Sequence, residues 1–211
     1  QPETLPATEE SPVQPATSPY GNSKQICEEI IRDTVAASTS LKAIALRYFN
    51  PIGAHESALI GELPLGPPAN LIPFLTQSVA GLRGPLQVWG TDYPTPDGTA
   101  IRDYIHVVDL AKAHVKSLVY LSKQKSDYFD LFNIGTGKGT SVLELIKCFE
   151  NVTENKLNFK IGDRREGDVA ECFADVSKAN KILIWKSELF INDSLLSSWN
   201  WEKNINNEKL Q

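Results

Sequence analysis

Apolar residues recur along this chain with two periods that take turns. Ile26, Ile30, Ile31 and Val35 keep a helical spacing after Ser18-Pro19, a cap followed by a first-turn proline, and predict a helix running to about Ala37. Lys42 to Tyr48 is a short apolar, β-compatible run closed by the turn Asn50-Pro51-Ile52-Gly53, which predicts a buried strand. A helix followed by an apolar strand is half of an α/β unit, so the chain is expected to enter partway through a parallel sheet, with earlier strands missing. The same reading gives a helix over Leu71–Leu82, ended by Gly84-Pro85, and a strand over Leu86–Trp89, closed by Gly90. It continues with a strand over Asp103–Val108 and a helix over Val108–Leu121, Asp109 serving as cap or first-turn acid. A strand over Leu131–Ile134, a helix from Ser141 to about Phe149, a strand over Leu157–Ile161, and helices over Asp175–Leu183 and Ile191–Trp201 complete the pattern. Residues 1–19 carry five of the 13 prolines and read as an irregular surface segment. Residues 55–70 form a long Gly-, Pro- and Leu-rich loop of the kind that holds ligands, residues 92–99 a turn-rich loop, and the polar last ten residues are expected to fray.

Composition narrows the classes. With 41% hydrophobic and 22% charged residues the chain is globular, and a net charge of -5 argues against a nucleic-acid binder, so any phosphate binding has to be local. Cys27, Cys148 and Cys172 are odd in number and without CxxC pairing, as expected of reduced cytoplasmic thiols. His55, His106 and His114 lack HExxH spacing and are expected to be structural, with no metal. The apolar runs fall short of a membrane span and the N-terminus lacks a signal-peptide pattern, so a soluble, cytoplasmic protein is expected. No methionine occurs at any of the 211 positions, and the chain reads as a fragment of a longer or processed protein.

Tyr20 and Lys24 lie four apart on the first predicted helix, about 40° apart around its axis, so a phenol and an ammonium leave from one face. A lysine beside a tyrosine favours the phenolate and makes a proton shuttle; a chance surface pair is the alternative. Gly135-Thr136-Gly137-Lys138-Gly139 fits neither the Walker loop, whose lysine precedes Ser or Thr, nor the GxGxxG register, and reads as a structural strand-to-helix turn. Asp92 and Asp97 do not alternate as calcium-loop acids do. Arg102-Asp103 and Arg164-Arg165-Glu166-Gly167-Asp168 sit at element ends, where guanidinium forks could clamp a pyrophosphate; surface ion pairs with the neighbouring aspartates are the equal alternative.

Six stretches, in order, carry a resemblance: Tyr20–Lys24, Arg47–His55, Asn70–Pro73, Asp92–Thr99, Arg102–Val107 and Arg165–Asp168. Together they closely resemble the UDP-glucose 4-epimerase family of extended short-chain dehydrogenases/reductases, from about Pro6 to Glu202. The resemblance implies an α/β fold: the C-terminal part of a Rossmann-type doubly wound parallel sheet plus a smaller mixed α/β substrate-binding domain. Residues 1–55 would be the remnant of the NAD-binding domain, 56–203 mainly the UDP-sugar domain with segments returning to the first, and 204–211 a polar tail. Tyr20 would be the catalytic base and acid. Lys24 would hold the nicotinamide ribose and favour ionisation of the phenol, with Tyr48 and Phe49 beside NAD. Asn50, Asn70, Leu71, Arg102, Arg165 and Asp168 would hold the UDP moiety, Gln87 and Trp89 would cradle uracil, and Cys172 would occupy a gate beside the sugar. There a cysteine in place of tyrosine leaves room for a 2-acetamido group, unless Cys172 is simply a small buried residue.

The implied reaction removes the sugar 4-hydroxyl proton while hydride passes from C4 to NAD, turns the 4-keto sugar over, and returns the hydride to its opposite face. The implied partners are a UDP-hexose and a second copy in a homodimer. The family's glycine-rich NAD turn, its acidic ribose ligand and its active-site Ser/Thr are absent from the 211 residues. They are expected before Gln1, so these residues alone are expected neither to bind NAD tightly nor to turn over substrate. Ile184-Trp185 also departs from the Gly-Trp usual there. A 4,6-dehydratase, a uronate epimerase and a catalytically silent sugar-nucleotide-binding subunit are the competing readings.

Overall fold

Local capping chemistry sets where the helices of this chain begin. A computed structural model describes residues 4–16 and 18–209. In α1 (Pro19–Ala36) the extended Ser18 accepts from the Gly21 amide at 3.1 Å, and Pro19 occupies a first-turn position that needs no amide partner. The elements that follow are β1 (Lys42–Tyr48), β2 (Asn50–Ile52), α2 (Leu71–Val79), β3 (Leu86–Trp89), β4 (Ile101–Arg102), β5 (Tyr104–His106), α3 (Val107–Ser122) and β6 (Tyr128–Ile134). After them come β7 (Thr140–Ser141), α4 (Val142–Thr153), β8 (Phe159–Gly162), β9 (Glu171–Cys172), a single π-helical turn (Ala179–Leu183) and α5 (Ile191–Lys209).

The pairings alternate between two bodies of side chains. β1 runs parallel to β6 in the register Lys42↔Tyr128 to Tyr48↔Ile134. Phe132 and Ile134 from β6, Leu110 and Ala113 from α3, and Leu183 and Trp185 make one core, with Ile44 and Leu46 of β1 packed on it. Each large side chain buried here contributes about 2–3 kcal/mol. β2 pairs in parallel with β5, and β3 with β8, while β4 lies between an antiparallel β7 and a parallel β9. Ile72 and Leu75 of α2, Leu86 and Val88 of β3, Phe149 of α4 and Leu195 of α5 belong to the second core.

Several boundaries differ from the sequence reading for physical reasons. β1 is half-buried rather than buried, because among the described residues it pairs with β6 alone. The strand expected over Asp103–Val108 is broken at Asp103, where the chain leaves β9 and joins β2: the Asp103 amide donates to Cys172, and its carbonyl accepts from Asn50. α2 stops at Val79, since Gly81 turns left-handed at φ 76°. Leu157 precedes β8 as a buried core plug rather than a strand residue. The helix expected over Asp175–Leu183 contracts to the π-helical turn. The tail expected to fray is helical to Lys209 because Ile205 is buried; the last two residues of that expectation lie outside those described. The first segment is irregular and at the surface over residues 4–16, as expected, and it is also tethered. Ala7 bridges to Ala174, accepts from the Asp175 amide at 2.7 Å, and accepts from the Asn133 side chain at 2.9 Å.

Candidate active site

Four element ends converge on one cleft of about 480 Å³. β2 brings Asn50, the first turn of α2 brings Asn70 and Leu71, β3 brings Gln87 and Trp89, and β4 brings Arg102; the loop between β8 and β9 adds Arg165 and Asp168. These are eight of the nine residues that the resemblance assigns to the sugar nucleotide. Cys172 is not among the lining residues: it lies on β9, in register with Arg102, and burial pushes its thiol up.

The cleft sets two guanidinium groups, Arg102 and Arg165, among its lining, with the carboxylates of Glu62 and Asp168 beside them. Arg102 is held from behind, its Nη1 donating to the carbonyls of Ile101 at 2.9 Å and Val169 at 2.8 Å, and its Nη2 lies 3.6 Å from Asp168. The N-terminus of α2 has no side-chain cap, because the Asn70 amide donates instead to Glu62 at 2.7 Å. An uncapped helix N-terminus presents unpaired amides and the positive end of its dipole. Leu71 and Ile72 at that end line the cleft together with Arg102 and Arg165, a donor set suited to a diphosphate.

At the other end, Gln87 Nε2 donates to the Lys160 carbonyl at 3.3 Å, while its Oε1 remains an acceptor, and the half-exposed Trp89 ring offers a flat apolar face. Tyr104, also in the wall, is buried so that its phenol is pushed up to about 12 and stays a donor. Glu62 and Tyr104 line the cleft without having been singled out in the sequence. Glu62 lies in the long loop read as ligand-holding, and Tyr104 reads simply as an apolar strand residue.

Tyr20 and Lys24 share one face of α1, with the Lys24 ammonium 5.0 Å from the centre of the Tyr20 ring. Tyr20 is 71% exposed, and Lys24 has no carboxylate partner among the described residues. Tyr48 ends β1 half-exposed, and the Phe49 amide donates to Ile134 at 3.0 Å. None of these four lines the cleft.

The arginines divide by surroundings: Arg102 lines the cleft and also pairs with Asp168, one of the aspartates expected to form ion pairs. Arg165 lines the cleft, whereas Arg164 is tied to Asp92 at 2.8 Å and stacks over Tyr93 at 4.3 Å. The hydrogen bond from Arg164 holds the Asp92 carboxyl below its ordinary range. Asp97 is likewise a structural acid, accepting from Thr99 and from the Ser141 hydroxyl. The glycine run after β6 is a turn in which the amides of Thr136, Gly137 and Lys138 are already taken. The buried Asp103 carboxylate accepts from Thr136 N at 2.8 Å, Thr136 Oγ1 at 2.7 Å and Gly137 N at 3.0 Å, and from Ala174 N at 3.2 Å. A Cβ at Gly135 would collide with that carboxylate, and Gly137 turns at φ 75°.

Comparison with known proteins places this geometry. The profile of the NAD dependent epimerase/dehydratase family matches residues 1–135. A UDP-glucose 4-epimerase of Bifidobacterium longum is 50% identical over 206 residues, which are 97% of this chain and 60% of that protein. A UDP-glucose 4-epimerase from Bifidobacterium longum solved in complex with NAD+ and UDP superposes with a TM-score of 0.92 at 50% identity, over 98% of this chain and 61% of that one. Another from Stenotrophomonas maltophila, with bound NAD and formylated UDP-arabinopyranose, gives 0.93 at 45% identity, over 98% and 60%. The chain therefore spans about three fifths of the length of the relatives it matches. Its parallel-stranded α/β architecture is that of these Rossmann-type proteins, and the chain belongs to the NAD dependent epimerase/dehydratase family.

Proposed function

We propose that the protein is a UDP-glucose 4-epimerase that uses NAD, and that this chain supplies its proton shuttle and its UDP-sugar cleft. The observation that carries the reading is the joint occurrence of a cleft holding two arginines and an uncapped helix N-terminus, with an aromatic wall at one end, and a Tyr–Lys pair on α1. In this reading residues 1–55 carry the cofactor side, with Lys24, Tyr48 and Phe49 against the nicotinamide end, and residues 56–203 carry mainly the substrate side. NAD, when bound, supplies the acceptor and donor of hydride at C4. Tyr20 takes the proton of the 4-hydroxyl and returns it to the same oxygen once the 4-keto sugar has turned over, with the Lys24 ammonium 5.0 Å from its ring centre. Arg102, Arg165 and the first turn of α2 grip the diphosphate, while Gln87 and Trp89 hold uracil, so the sugar can turn over without leaving. The exposed Ile26, Ile30 and Ile31 of α1 are the apolar face for a homodimer, and the unpaired thiols suit the cytoplasm.

UDP titration by calorimetry tests the cleft in this chain directly. Saturable binding is expected, weakened about tenfold or more in Arg102→Ala, since a charge-assisted hydrogen bond contributes about 1.5–3 kcal/mol. A chain that binds no UDP would refute the reading. In the full-length protein Tyr20→Phe should abolish epimerisation and leave UDP affinity unchanged. Cys172 lies outside the lining of the cleft, so the gate rests on the resemblance alone: turnover of UDP-N-acetylglucosamine is expected and should be lost in Cys172→Tyr, and undiminished turnover in that variant would remove the gate.

A further inference from the structure

Tyr20 and Lys24 can serve a reaction only if the helix that carries them is fixed along its axis, and hydrophobic packing within this chain does little of that fixing. Of all the residues of α1, Val35 alone is buried, near the far end. The connection nearer the pair is polar. Arg47, on β1, reaches Glu28, on α1, with two parallel hydrogen bonds, Nε to Oε2 at 2.9 Å and Nη2 to Oε1 at 2.7 Å. The side chains are only 28% and 17% exposed, so water competes weakly for this fork. Arg47 Nη1 also donates to the Glu9 carbonyl at 3.3 Å, and the Glu9 carboxylate accepts from the Asn133 amide of β6 at 2.7 Å. Arg32 holds Glu28 from its own helix at 3.1 Å. Helix, both strands and the incoming segment meet at one carboxylate–guanidinium node.

The spacing gives this node its leverage. Glu28 stands one turn beyond Lys24 and two beyond Tyr20 on the same stripe, and Arg47 directly precedes Tyr48. A planar two-point fork accepts its carboxylate in a single orientation, unlike the point charge of a lysine. A slip of one turn would carry the phenol about 5.4 Å along the axis, whereas about 1 Å of misplacement already slows an oriented reaction severely. We propose that Arg47 and Glu28 are positioning residues that set the axial register of α1 and hold Tyr20 and Lys24 at the end of β1. The inference rests on the proton-shuttle reading of that pair.

The test compares Glu28→Gln, Arg47→Lys and the exchanged pair Glu28→Arg with Arg47→Glu in the full-length protein. Each single variant should lower kcat by roughly 10- to 100-fold and shift the acid limb of its pH profile, with KM for UDP-galactose within about twofold, because the cleft is built by other elements. The exchanged pair should recover part of the loss. In the 211-residue chain, amide hydrogen exchange over residues 20–28 should quicken about tenfold or more in Arg47→Lys, with UDP affinity unchanged. A kcat within twofold of wild type in both single variants would overturn the proposal, as would a parallel rise of KM and of the UDP dissociation constant. Should the wild-type protein turn over no UDP-hexose, the functional reading fails instead, and the exchange rates alone decide whether the fork sets the register.

Discussion

His106 shows how burial fixes the chemistry of a single side chain. Its Nδ1 accepts from the Val108 amide at 3.0 Å and so caps α3, which leaves the ring proton on Nε2, facing Ser197 Oγ at 3.2 Å. The assignment is consistent, since that hydroxyl donates to Ser194 and accepts from the Ala54 amide. Burial pushes the imidazole below its ordinary value, against the raising influence of Asp109 and Asp193. The unfolded chain then binds the proton more readily than the folded one. The stability due to this group is complete above the ordinary histidine value of about 6.5 and is lost as pH falls through the lower folded value. Urea unfolding at pH 8, 6.5 and 5 should show that loss, and His106→Gln should flatten it; an unchanged slope in the variant would assign the loss elsewhere. The sequence marked His106 as structural and left Asp109 as cap or first-turn acid; the cap is His106, and Asp109 is the first-turn acid. The buried Asp109 accepts from the amides of Glu188 and Leu189, both at 2.8 Å, partners that no local pattern reveals.

Elements were legible where their chemistry is local. α4 opens as expected, with Ser141 accepting from Glu144 N at 3.0 Å and Glu144 reaching back to Ser141 N at 3.3 Å. The break between β4 and β5 was not legible, because it depends on which distant strands flank Asp103. Ile184 lies between these cases. The resemblance expects glycine before Trp185, and the structure supplies the reason: Ile184 ends the π-helical turn left-handed, at φ 49° and ψ 47°. A β-branched residue pays about 1–2 kcal/mol for that conformation, and at 73% exposure it recovers little by burial. Ile184→Gly should therefore stabilise the protein by about 1 kcal/mol, a rise in Tm of roughly 2–4 °C. A thermal melt showing no gain would mean that the flexibility glycine adds to the unfolded chain cancels the relief.

Across the whole molecule, Asp103 joins parts that the sequence presents separately. Motif order alone could name the residues that line the cleft but could not bring the loop after β8 over the ends of β2, β3 and β4. Asp103 helps to do so, since its backbone joins β9 to β2 and its carboxylate ties the turn after β6 to Ala174. Asp103→Asn puts an amide among three backbone donors and a hydroxyl, and should cost about 3 kcal/mol, lowering Tm by roughly 6–12 °C. A melt within 2 °C of wild type would show that the turn holds without it. The glycine turn thus resembles a phosphate cradle whose guest is covalently attached to the host. Removing the guest by Asp103→Gly should leave a vacant anion seat, and millimolar formate, too small to be excluded and of the same chemistry, should restore part of the lost melting temperature while chloride does not.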